Sequence, residues 1–156
     1  MTSKIVRYGV VSSIEPTTHA VRVVFEDEDL MVSDLLPVIV PCASKNQDYC
    51  LPDVGDRVVC LYLPNSQSAG FVVGSAYSQA NLPPVNNHNK RGVCFADGTI
   101  VEYDRASSIL TIDCKGSIII RANGNVTVIG DVIADGISLK NHIHPESIGS
   151  VTGKPQ

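Results

Sequence analysis

The sequence predicts an all-β protein: an N-terminal OB-type barrel, then an intertwined trimeric triple-stranded β-helix with a metal-bound apex. Three observations lead there. Short apolar runs broken by turn residues fill Lys4–Tyr77. The punctuation changes to recurrent glycines after the proline- and asparagine-rich stretch Asn81–Lys90. An H-x-H pair, His142 and His144, lies near the end.

Composition narrows the function classes. The 156 residues are 44% hydrophobic and 18% charged, which suits an ordered chain of one domain or two small ones. Twelve Lys and Arg against sixteen Asp and Glu, with 5% aromatics and no Trp, leave no basic and aromatic stripe for nucleic acid, so none is expected as a partner. No apolar run approaches the roughly 20 residues that span a bilayer, and no apolar h-region follows Met1–Arg7, so a soluble protein without a signal peptide is expected. G-x-S-x-G, H-E-x-x-H and the phosphate loop GxxxxGK[ST] are all missing. No catalytic residue is therefore assigned, and the chain is not read as an enzyme.

In residues 1–80 the strand candidates are Tyr8–Ile14, Ala20–Phe25, Val38–Val40, Arg57–Leu63 and Gly70–Val73. Val, Ile, Tyr and Phe dominate them, and Glu15-Pro16-Thr17, Pro52–Asp56 and Pro64-Asn65-Ser66 supply the breaks. About five strands in so short a segment suit a small Greek-key barrel. The acidic stretch Glu26–Asp29 reads as a solvated hairpin tip, with a calcium or partner site as the alternative. Cys42, Cys50, Cys60, Cys94 and Cys114 are an odd set at wide spacing without a zinc pattern. They read as mostly buried thiols of a reducing cytoplasm, with a Cys42–Cys50 bridge as the alternative.

Residues 81–90 read as a linker, because two prolines keep the chain extended and no apolar period crosses it. In residues 91–140 glycines at 92, 98, 116, 124, 130 and 136 separate runs such as Ile109–Ile112, Ser117–Ile120, Asn125–Ile129 and Val132–Ile133, each expected to be one short strand. Such strands, with no helix to cover them, cannot bury two apolar faces within one chain and would leave open edges. Threefold intertwining of identical chains resolves this, since every edge then finds a neighbour and the glycines form the corners. A separate single-chain sandwich is the alternative.

Residues 141–156 form the expected apex. In an extended strand, residues i and i+2 point to the same side, so His142 and His144 would face one direction. A lone H-x-H pair can equally be two surface histidines. On a threefold axis it would supply six imidazoles, too many for tetrahedral zinc and suited to octahedral iron(II) or nickel(II). His19, in a predicted turn, and His88, in the linker, read as plain surface residues. The small and turn-forming residues of Pro145–Gln156 are expected to fold back around the tip.

Two sets of motifs carry a resemblance. In the first half these are Leu51–Val58 (LPDVGDRV), Gly70–Tyr77 (GFVVGSAY) and the Pro83-Pro84 exit; in the second, Phe95–Thr99 (FADGT), Gly130–Lys140 (GDVIADGISLK) and His142-Ile143-His144. With these the chain resembles the central spike proteins of contractile phage tails, the baseplate assembly protein V family, over nearly its whole length. The resemblance implies a homotrimer with an OB-fold collar and a triple-stranded β-helix needle, in which His142 and His144 of all three chains hold one iron (Fe2+) per trimer. Some relatives also carry calcium or chloride on the axis, and no residue here places such an ion. The implied role is mechanical: a spike at the virion tail baseplate, attached to a hub protein and driven through the host outer membrane on sheath contraction. The spike of a phage-derived bacteriocin or type VI-like secretion machine, or a non-piercing tail-hub subunit, is the alternative. Some relatives insert a lysozyme domain, for which this chain has no room.

Overall fold

The computed structural model describes residues 5–26, 29–64, 66, 68–145, 149 and 153. The chain divides into two compact units, Met1–His88 and Asn89–Gln156.

The first unit is built on strands β1 (Val6–Glu15), β2 (Ala20–Phe25), β3 (Met31–Val32), β4 (Leu36–Pro37), β5 (Arg57–Tyr62) and β6 (Gly70–Ser75). They form one sheet in the order β3-β2-β1-β5-β6, with β4 also paired to β2. Beyond β4, Val38 bridges in parallel to Val72 of β6, and the Ile39 N–H donates to the Val72 carbonyl at 2.9 Å. That contact closes the ring β1-β2-β4-β6-β5, a five-stranded Greek-key barrel of the OB type. Each of two register shifts leaves one extra residue, Ser12 in β1 opposite β2 and Val73 in β6 opposite β5, and bends that strand, as barrel corners require.

The barrel core follows from strand alternation. Val21, Val23 and Phe25 of β2, Val58, Cys60 and Tyr62 of β5, and Val72 of β6 point inward and are buried. The expected run Val38–Val40 contributes only the Val38 bridge, because the ladder to β2 is made one step earlier, at Leu36 and Pro37. Gly9 of β1 sits where its neighbour comes closest: a Cβ there would overlap the Val23 side chain and lie 2.6 Å from the Val24 carbonyl.

Two expectations need correction, the burial of the cysteines and the place of His19, and the alternative of a disulfide is not realised. Of the five cysteines only Cys60 is buried; Cys42, Cys50 and Cys94 are exposed, Cys114 is half-buried, and all are free thiols. Only Cys60 falls on the inner face of a barrel strand. The Cys42–Cys50 bridge is not formed, because the loop closes between Ala43 and Gln47 and from the Asp48 N–H to the Cys42 carbonyl, leaving Cys50 beyond the closure. His19 is not a plain surface residue. It takes φ +53° after the short 3-10 turn Pro16–Thr18, its carbonyl accepts from the Val38 N–H at 3.0 Å, and its Nε2 is buried without a hydrogen-bond partner among the described residues. Within the acidic stretch, Glu26 faces Arg57 across 3.4 Å with both side chains exposed; Asp27 and Glu28 lie outside the described residues.

The second unit opens with an antiparallel meander of β7 (Lys90–Cys94), β8 (Ile100–Asp104) and β9 (Ile109–Asp113). Strand β7 begins at the last residue of the expected linker. At the β7–β8 turn, Gly98 takes φ +85° and the Asp97 carboxylate accepts from both the N–H and the hydroxyl of Thr99. Those two donors hold the Asp97 carboxyl below its ordinary range. The last elements are the two-residue strands β10 (Ile133–Ala134) and β11 (Ile137–Ser138).

The runs Ser117–Ile120 and Asn125–Ile129 form no strand in this chain, contrary to expectation. A strand is made by its ladder partner, and this chain offers those residues none. Their apolar side chains stay in the open, Ile120 at 73% and Ile129 at 98% exposure.

Candidate functional site

The strongest candidate lies at the end of the second unit, where the β10–β11 hairpin leads into His142. Asp135 and Gly136 join the two strands with φ +49° and +83°, the pair of positive values that a type I′ turn needs. This register, Ile133 opposite Ser138 and Ala134 opposite Ile137, brings Val132 against Leu139 and Asp131 against Lys140. The Leu139 N–H accordingly donates to the Val132 carbonyl at 2.8 Å.

Asp131 replaces the next ladder bond with its side chain. Its Oδ1 accepts from the N–H groups of Val132 and Lys140 at 2.9 and 3.1 Å, and its Oδ2 accepts the Ser138 hydroxyl at 2.5 Å. Led by the Ser138 hydroxyl, these donors hold the Asp131 carboxyl below its ordinary range. Because Ser138 gives its one proton to Asp131, its oxygen is left to accept, and it does so from the backbone N–H and the side-chain amide of Asn141, each at 3.0 Å.

The same residue anchors the first histidine. The Ser138 carbonyl accepts from the His142 N–H at 3.0 Å, closing a turn from 138 to 142. Nδ1 of the His142 ring lies 3.1 Å from that carbonyl and 3.0 Å from the Leu139 carbonyl. Carbonyl oxygens only accept, so Nδ1 carries the proton and a neutral ring keeps its lone pair on Nε2. His142 is half-buried and His144 exposed, with ring centres 5.1 Å apart and planes at 89°.

His142 and His144 lie in no strand: the turn from Ser138 ends the extended path at His142, whereas strand alternation was expected to align the two rings. The turn forms because the Ser138 carbonyl captures the His142 N–H and ends the extended path. His88 is exposed, as read from the sequence. Glu146 and nearly all of the Pro145–Gln156 tail, with its expected fold-back, lie outside the described residues.

The two rings meet edge to face, a contact that fixes their separation and leaves the direction of each Nε2 open. One chain offers only this pair, and no group of three or more His, Cys, Asp or Glu among the described residues is arranged to hold a metal. The sequence marks Asp131 and Ser138 only as parts of the Gly130–Lys140 motif. The signal for their role was the Asp135-Gly136 turn, whose register sets residue 131 beside residues 138–140.

Comparison with known proteins bears on both units. Residues 7–77, nearly the whole barrel, match the family described as the type VI secretion system/phage-baseplate injector OB domain. The match is confined to the barrel and leaves the second unit outside it. The Val38–Val72 bridge that closes the barrel lies within the matched residues. Over 103 residues the chain is 27% identical to the spike protein of Escherichia phage P2, covering 66% of this chain and 49% of that protein. The chain thus spans about half the length of the curated relative it matches. The resemblance to phage baseplate spikes read from the sequence holds.

Proposed function

We propose that this chain is the central spike of a contractile phage tail baseplate, a homotrimer that pierces the host outer membrane when the sheath contracts. The observation that carries the reading is the apolar surface of the second unit, from Ile109 to Ile137, exposed in the single chain directly after an injector OB domain. Apolar runs that size stay soluble only if covered, and open strands invite pairing. Three intertwined copies supply both cover and partners and make a rod in which peeling one chain breaks many hydrogen bonds together.

The narrow end of such a rod has too few residues around its axis for apolar burial to hold it. His142 and His144 of three chains would there hold one iron(II), whose preference for six nitrogen ligands the symmetry meets. When bound, the ion ties three chain ends to one point, so that binding energy becomes folding energy. This chain's part is to orient His142, with Nδ1 held on the Ser138 and Leu139 carbonyls, so that Nε2 would be the atom offered to the ion. Six imidazoles leave no open position, so no turnover is assigned to the site. The remaining partners in this reading are the baseplate hub protein and, transiently, the outer membrane; nucleic acid has no role. No described residue group places calcium or chloride.

Native mass and metal content measured on one purified sample test the assembly: a trimer with one iron is expected, and a monomer or dimer without metal overturns it. Release of dye from vesicles made with outer-membrane lipids tests piercing, and an intact trimer that leaves them sealed would favour a non-piercing hub subunit. The family description also covers secretion machines, so a type VI or bacteriocin spike is the second reading. Tail genes beside a capsid operon would decide for the virion.

A further inference from the structure

We propose that Asp131 and Ser138 are positioning residues for the metal site, forming a brace that sets the direction of the His142 ring; this rests on the iron site proposed above. The brace is a one-way chain of hydrogen bonds. The Asp131 carboxylate has no proton to give, so it dictates that the Ser138 hydroxyl donates to it. The Ser138 oxygen must then accept, and both Asn141 donors converge on it. With residues 138 and 141 clamped, the turn presents the Ser138 and Leu139 carbonyls to His142 Nδ1. Asp131 touches neither histidine in this chain of contacts; it acts through Ser138.

The polarity of the brace makes the proposal specific. In Asp131→Asn the new amide can satisfy the Val132 and Lys140 N–H groups only by turning its NH2 toward Ser138. That oxygen would then face three incoming donors, and its own proton would lose its acceptor. Ser138→Ala removes the junction outright. Ser138→Thr keeps the hydroxyl, at a strand position that tolerates a β-branched side chain.

The test compares full-length wild type with Asp131→Asn, Ser138→Ala, Ser138→Thr and His142→Ala. Each is checked as a trimer by native mass, its iron is challenged with a chelator, and the cobalt(II)-reconstituted trimer is examined by absorption spectroscopy. Asp131→Asn and Ser138→Ala should remain trimeric, lose iron about 10- to 100-fold faster than wild type, and show altered cobalt bands, because partners that orient a ligand carry effects of that size. Ser138→Thr should restore both the rate and the spectrum, which a general loosening of the tip would not explain. Iron held in wild type and lost in His142→Ala, but released at the wild-type rate with an unchanged spectrum in Asp131→Asn and Ser138→Ala, overturns the brace and leaves the iron site standing. A wild-type trimer without metal overturns both.

Discussion

The guanidinium carbon of Arg7 lies 3.6 Å from the centre of the Phe25 ring, inside the barrel. Arg7 is 8% exposed and Phe25 fully buried, and the Tyr62 ring stands 5.3 Å from the same guanidinium. A cation taken from water needs compensation, and two aromatic faces provide part of it. Arg7→Met keeps the apolar stem and should cost about 1–2 kcal/mol, whereas Phe25→Ala should cost about 3–5 kcal/mol. Denaturation midpoints of the full chain measure both. If Arg7→Met and Phe25→Leu prove additive in a double-mutant cycle, the cation and the ring do not interact energetically.

Gly9 tests how tightly β1 meets β2. An added Cβ would overlap the Val23 side chain and press on the Val24 carbonyl, which is backbone and cannot step aside. Gly9→Ala should destabilise the barrel by roughly 1–3 kcal/mol, the usual range for overpacking. Gly55→Ala meets no neighbour but must adopt φ +96°, so its smaller loss would come from backbone strain alone. Thermal melts of the two variants side by side separate the mechanisms.

Burial pushes the Cys60 thiol up to about 11, with Arg7 pulling weakly the other way. A raised folded value means that the neutral thiol's stabilising contribution is complete below its ordinary 9.0 and is lost as pH rises through about 11. Barrel stability should therefore fall between pH 9 and 11, and the fall should vanish in Cys60→Ala. At pH 8 an alkylating reagent should label exposed Cys42 and Cys50 quickly and leave Cys60 unlabelled until the protein unfolds. Equal labelling rates in the native protein would contradict the burial.

Replacing His142 or His144 with alanine removes three of six ligands at once in a trimer. Iron should be lost from both variants while most of the assembly stays trimeric, because strand pairing upstream does not depend on the tip. Elemental analysis finding a full equivalent of iron in both alanine variants would show the histidines to be ordinary surface residues.

The sequence by itself determined the strand content of the barrel, since Ala20–Phe25 and Arg57–Tyr62 carry an alternation that local chemistry suffices to read. It also marked a change of punctuation at residues 81–90, where the structure divides between His88 and Asn89, and singled out His142 and His144 as candidates. What only the tertiary structure decided were relations between residues distant along the chain. The Val38–Val72 bridge that closes the barrel, the burial of Arg7 over Phe25 and the sealed Nε2 of His19 depend on which strand becomes a neighbour, and periodicity holds no record of that. The strand assignments at Ser117–Ile120 and Asn125–Ile129 failed for the same reason: an apolar run states that a partner is needed, but the ladder exists only where one is supplied. The His142 ring direction was hidden because a hairpin turn at Asp135-Gly136 first had to bring Asp131 to Ser138, seven residues away, before any hydrogen bond could fix the turn that follows.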